Sequence, residues 1–214
     1  MYGKISCVAK GARRPKSALL AGTQMFCFGE YLVYKGTQTY HINSVETIEV
    51  FYNLRTDLDK LKYAVHINKI VQDVTQENQN CYKILQLVLN TLYTISETDK
   101  DLNMVLSVFK LRLLCILGFT PQISKCANCN EKEGLNCFSI KDNGFKCSAC
   151  GRQDTSTIEI SESTLSAIRY TVTAPPKKIY SFNLKDEALE EFKLLTKIYF
   201  NEKLEKEYKL EELF

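Results

Sequence analysis

The spacing of apolar positions changes once along the chain, near Asp57. Before that point apolar and β-branched residues fall in short extended runs, and Lys4 to Ala9, Gln24 to Tyr34 and Thr39 to Phe51 predict three strands. Gly11 to Pro15 breaks the first pair, and Lys35-Gly36-Thr37 is short enough for a hairpin connection. Three strands leave open edges, so residues 1–54 are expected to form an incomplete β-domain. After Asp57, Leu61, Ala64, Ile67, Val71 and Val74 recur at three- and four-residue steps, as a helix with one buried face requires. Leu85, Val88, Leu89 and Leu92 predict a second helix, and Leu102, Val105, Leu106, Phe109, Leu113 and Leu117 a third, stopped by Gly118 with Pro121 beyond it. Two more follow: Ser161 to Thr173, opened by Ser-x-x-Thr and closed by Pro175-Pro176, and a long one from about Asn183 to Lys203. Glu187, Glu190 and Glu191 near the start of the long helix suit its dipole. The expected class is α+β, with a helical domain over residues 55–214.

Composition narrows this picture modestly. With 214 residues and 45% hydrophobic content, the chain can bury a substantial core. A net charge of +3 does not by itself announce nucleic-acid binding, but residues 1–40 carry +5 and residues 41–214 carry −2. Nine cysteines, an odd number, point to a reducing compartment in which thiols are metal ligands or core residues. The first residues lack an apolar signal core, and no later window offers 18 uncharged apolar residues. A cytoplasmic protein is expected.

The sharpest chemical signal is Cys126-x-x-Cys129 and Cys147-x-x-Cys150, separated by seventeen residues. Each pair can present two sulfurs from one tight turn, and Leu135 to Ile140, Asp142-Asn143-Gly144 and Phe145-Lys146 read as a hairpin joining them. Such a set predicts one structural zinc ion in a ribbon spanning about residues 122–157. Four protein ligands leave no open position for catalysis. Chance burial of four thiols, or a redox role for one pair, accounts for the paired spacing less well. Cys137 lies outside both turns and is expected to pack on the hairpin, while Cys7, Cys27, Cys81 and Cys115 are expected in the core.

Other candidates depend on exposure. Lys10, Arg13, Arg14 and Lys16 sit with Gly11, Pro15 and Ser17 on a turn that suits phosphate contacts, where the bland alternative is a solvated loop. Tyr2, Phe26, Phe28, Tyr31, Tyr34 and Tyr40 offer faces for base stacking, or else core. His41 and His66 have no nucleophile or paired carboxylates beside them, so no catalytic residue is expected. Lys110 and Arg112 interrupt an apolar helix. Their stems would reach solvent, or they would form the basic rim of a groove for an acidic peptide.

Several of these segments, taken in order, carry a resemblance: Tyr2-Gly3-Lys4-Ile5, Ala9 to Ser17, Leu111-Arg112-Leu113-Leu114, Gly118-Phe119-Thr120-Pro121 and the two Cys-x-x-Cys pairs. Together they resemble the bacterial recombination mediator RecO family over nearly the whole chain. The resemblance implies an N-terminal OB-type barrel, a helical domain and a zinc ribbon inserted after the Gly-x-x-Pro turn. It also implies binding and annealing of single-stranded DNA, and loading of recombinase with RecR onto DNA covered by single-strand-binding protein, whose acidic tail would meet the helical domain. Activity at the nucleoid would follow. Family members normally carry a further strand pair before the Tyr-Gly-Lys-Ile segment, so the barrel is expected to be truncated to about three strands. A second reading is therefore an interaction module that has lost DNA binding with those strands. A zinc or thiol-redox enzyme would need an open metal position or a reactive thiol.

Overall fold

Strand β1 (Cys7–Val8) pairs parallel with β3 (Tyr40–Glu49), which pairs antiparallel with β2 (Phe28–Lys35), in a computed structural model that describes residues 3–210. The β2–β3 hairpin closes through the Gly36 amide, which donates to the Thr39 carbonyl at 2.8 Å. Its register slips beside Gly29, where a Cβ would lie 2.3 Å from the Glu46 carbonyl oxygen, so the bulge depends on a residue without one. The strand expected from Gln24 begins only at Phe28. Residues 10–27 instead form a succession of turns, and Phe26 adopts a left-handed backbone (φ 63°) with its ring buried. The first strand is also shorter than expected, because Gly3 and Lys4 bond to Glu77 and Gln76 rather than to the sheet.

Helix α1 (Leu58–Val74) is capped by Asp57, whose carboxylate accepts from the amides of Asp59 and Lys60. Its Ala64, Ile67 and Ile70 are fully buried, as is Leu54 just before it, and Phe51 nearly so. The chain forms two compact units, Met1–Tyr82 and Lys83–Phe214. Helix α1 falls in the first of these units. The sheet stays open in this unit: among the described residues it has three strands, and Leu32 and Ile48 are 61% and 58% exposed. Cys7, Cys27 and Cys81 are half-buried rather than core residues.

In the second unit, α2 (Tyr82–Glu97) buries Ile84, Leu87, Val88, Thr91, Leu92 and Ile95. That stripe is rotated from the expected one, and Leu85 faces outward. Helix α3 (Leu102–Ile116) is capped by Asp101 and buried almost all round, with Val105, Val108, Phe109, Leu113 and Leu114 inaccessible. Helices α5 (Glu162–Thr173) and α6 (Asp186–Leu204) pack against it and against each other. Ser161 caps α5, and the Glu191 carboxylate accepts from the Ser161 amide, the Ser161 hydroxyl and the Thr164 hydroxyl at 2.7–2.9 Å, tying α6 to the start of α5.

Lys110 does not reach solvent as expected. It is only 6% exposed, and its ammonium sits 5.5 Å from the centre of the Phe200 ring. Burial, reinforced by Lys197, lowers its pKa from 10.5 to about 8. The folded state thus disfavours the charged form, and stability rises with pH between about 8 and 10.5, where the unfolded chain holds more protons. Lys110→Met is expected to stabilise the protein by on the order of 2 kcal/mol at neutral pH, with the gain shrinking above pH 8. Urea unfolding of both proteins at neutral and alkaline pH measures this.

Candidate functional site

The two Cys-x-x-Cys turns come together. Cys126 and Cys129 lie on a turn in which the Asn130 amide donates back to the Cys126 carbonyl at 3.1 Å, and Asn130 takes a left-handed backbone (φ 65°) that the short polar side chain tolerates. Cys147 ends strand β5 (Gly144–Cys147), and Cys150 lies on the single-turn helix α4 (Ser148–Gly151). Strand β4 (Leu135–Ser139) pairs with β5 as the sequence predicts and, unexpectedly, also with β6 (Thr157–Glu159). The Ala127 amide donates to the Phe145 carbonyl at 2.8 Å and fixes one turn against the other strand.

All four sulfurs lie within 4.8 Å of one another, and those of Cys129 and Cys147 are 3.7 Å apart. Tetrahedral bonds of about 2.3 Å to one ion place sulfurs about 3.8 Å apart, so the thiol set fits a single four-coordinate ion. The Asn128 side chain donates to Cys150 Sγ at 3.4 Å, as a group outside the ligand set would to orient a thiolate. Burial opposes ionisation of Cys126, but amides of Cys129, Cys147 and Asn128 outweigh it and bring the pKa down to about 6. At Cys129 the Glu131 amide favours the thiolate, yet hydrogen bonds to Cys126, Cys147 and Cys150, together with burial, push it up to about 12. Four adjacent thiols cannot all ionise together unless a cation balances them. Cys137 is buried outside the cluster and packs on Gly151, where an added Cβ would lie 2.5 Å from its sulfur.

A second network braces the hairpin. Lys146, 4% exposed, forms ion pairs with Asp142 at 2.5 Å and Asp154 at 2.6 Å. Asp154 also accepts from Ser139 and Ser156, and Lys146 foremost holds its carboxyl well below the usual carboxylate range. The ribbon is joined to the helices by Phe138 edge-on to Tyr199 and by Arg169, which donates to the Ile123 carbonyl and lies over the Phe145 ring.

In the other unit, Lys10, Arg13, Arg14 and Lys16 are all exposed on consecutive turns, with Gly11 at φ 77° and the Arg14 amide donating to its carbonyl. No acidic residue occurs between positions 9 and 29. Tyr34 is exposed and stacks on His41, while Phe28 and Tyr40 are half-buried. The Tyr31 hydroxyl donates to the Gly22 carbonyl. Phe26 is core, not a stacking platform, and Tyr2 lies outside the described residues. His66 is 1% exposed within α1.

Arg112 and Lys110 point to different surroundings, since two helical steps separate them by about 200°. Arg112 donates to the Thr171 and Val172 carbonyls near the end of α5, at 3.1 and 2.5 Å, and borders a cavity of about 310 Å³. Lys83, Asn90, Cys115, Ile116 and Ile179 are among its other walls, and no acidic residue lines it. Cys115 is half-buried there rather than core. Lys83 and Asn90 escaped sequence reasoning because they come from α2, and only the fold brings α2, α3 and the segment after α5 together.

Two family profiles cover most of the chain: "Recombination protein O N terminal" matches residues 1–51 and "Recombination protein O C terminal" residues 55–212. The chain is 42% identical to a DNA repair protein RecO of Acetivibrio thermocellus, over 96% of this chain and 82% of the relative. It is 33% identical to that of Alkaliphilus metalliredigens, over 92% and 80%. For the protein of that name from Bacillus subtilis the figures are 28%, 94% and 78%.

Metal binding at such a site contributes on the order of 10 kcal/mol to local folding. A strong chelator, or Cys126→Ser, is therefore expected to raise amide hydrogen exchange sharply across residues 122–157 while leaving α1 protected. Uniform exchange before and after chelation would show that the thiols hold no structural ion.

Proposed function

The chain belongs to the RecO family of DNA repair proteins, and from that premise we propose that it is a recombination mediator that binds and anneals single-stranded DNA. In this reading it acts by binding rather than by catalysis, in the cytoplasm at the nucleoid. Together with RecR it helps load recombinase onto DNA covered by single-strand-binding protein. The observation that carries the proposal is the run of four exposed cations, Lys10, Arg13, Arg14 and Lys16, on turns free of acidic neighbours in sequence. Arg forks reach two phosphate oxygens each, and a glycine in the left-handed region lets the backbone approach closely. Exposed Tyr34 supplies a face for a base.

The four-thiol cluster holds one structural zinc ion, since an all-sulfur tetrahedral set suits that metal best. The acidic tail of single-strand-binding protein enters the cavity beside Arg112, where Lys83 adds a second positive charge and Ile116 and Ile179 an apolar floor. Lys110, which the sequence suggested for the same rim, is buried against α6 and takes no part.

A second reading has one specific observation in its favour: the sheet is open, with three strands among the described residues. A surface of that kind need not form a DNA groove, and the chain would then act through its protein contacts alone.

Salt-dependent binding separates the two. Four phosphate contacts give a slope of log affinity against log salt near −3 for single-stranded DNA. The triple variant Arg13→Ala, Arg14→Ala, Lys16→Ala is expected to lose most of the affinity and to flatten the slope. A folded, metal-loaded parent that does not bind would select the interaction-module reading. For the cavity, Arg112→Ala is expected to weaken binding of an acidic tail peptide at least tenfold. It should lower the melting temperature only slightly, because the α5 carbonyls it releases can turn to water.

A further inference from the structure

Helix α2 has a second apolar stripe. Tyr82, Leu85 and Tyr93 are 55%, 47% and 57% exposed, and half-buried Leu89 lies between them, so spacings of three, four and four residues keep all four on one side. This stripe adjoins the face of Ile84, Val88, Leu92 and Ile95, which fill the core, and its centre lies about a third of a turn from theirs. A helix with only one surface to bury has no need of such a stripe.

The charges of α2 are equally unusual. It carries only two, Lys83 in the first turn and Glu97 at the last position. Each opposes the dipole of its own helix, since a cation sits at the positive end and an anion at the negative end. They are fourteen residues apart, close to four full turns, so both flank the same side of the stripe. Glu97 takes a hydrogen bond from Ser96 and remains exposed.

We propose that this face of α2 is an interface between two copies of the chain, packed antiparallel about a two-fold axis near Leu89 and Asn90. In an antiparallel pair, like flanks face each other, so Lys83 of each copy meets Glu97 of the other, and Leu85 packs beside Tyr93 of the other. Each charge then lies near the favourable end of the other copy's dipole. A parallel pair would instead put the charged flanks on opposite sides of the seam, where neither Lys83 nor Glu97 meets a partner, and would leave each charge beside the unfavourable end of both dipoles. Two helices alone bury an area near or below the roughly 1,200 Å² at which durable interfaces begin, so association is weak and concentration-dependent.

Sedimentation of the full chain from micromolar to several hundred micromolar tests this. The mass is expected to rise toward twice that of the monomer. Leu85→Glu should hold the protein monomeric with a melting temperature lowered only slightly, since about half of the side chain already faces solvent. Lys83→Glu and Glu97→Lys should each weaken association about tenfold, whereas an equimolar mixture of the two should associate at least as well as the parent, because every flank pair is then opposite in sign. A parent that stays monomeric throughout would overturn the proposal. So would a dimer indifferent to Leu85→Glu, or a mixture that associates no better than its components.

Discussion

A helix that is apolar on every side must be covered on every side, and α3 sets the terms for the second unit. Ten of its fifteen residues are buried, so α5 and α6 must lie against it to cover them. The two cations within α3 show the cost of that arrangement. Arg112 spends donors on the last carbonyls of α5, which both satisfies its charge and closes a helix end. Lys110 finds only a ring face and another cation nearby, and its basicity falls accordingly. One residue is positioned by its hydrogen bonds, and the other is tolerated for its stem.

The ribbon depends on the same helices and returns the constraint. Phe138 reaches Tyr199, whose hydroxyl donates to the Phe119 carbonyl just beyond α3. The end of α3, the hairpin and α6 are thus joined through one aromatic side chain. Within the ribbon, neighbouring residues of a four-residue strand carry the two devices, Lys146 its ion pairs and Cys147 its place in the thiol cluster. A strand that short cannot hold a hairpin by backbone bonds alone.

What could be read in the sequence follows how locally each feature is determined. The Cys-x-x-Cys turns and their hairpin were legible because ligand spacing and turn residues lie within about thirty positions of one another, and the cluster assembles as they require. The start of α5 at Ser161 was visible for the same reason, and the change of period at Asp57 marked the residue that caps α1. The phase of α2 was not: Leu85 and Ile84 are adjacent apolar residues, and which one turns inward depends on what α3 and Tyr180 present, as the Thr91 to Tyr180 hydrogen bond shows. Phe26 misled for a related reason. It reads as a strand residue, but the turn it sits in buries its ring through a left-handed backbone that no propensity favours. Strand β6 was missed because three residues carry too little alternation to register.

The two candidate binding features differ in how they are built, and this decides how each tolerates change. The cationic turns from Lys10 to Ser17 are contiguous, close on their own hydrogen bonds and need the rest of the unit chiefly as a base. Their affinity for an anion is a sum of separable charges, so single substitutions should act in steps. The cavity beside Arg112 is assembled from α2, α3 and the segment following α5, and the bond from the Asn90 side chain to the Pro176 carbonyl is part of its frame. Its shape exists only when that packing is intact, so a change distant in sequence can abolish it without touching a wall. A surface made of separable charges suits a polymer met in many registers, whereas a cavity fixed by packing suits a single short ligand end.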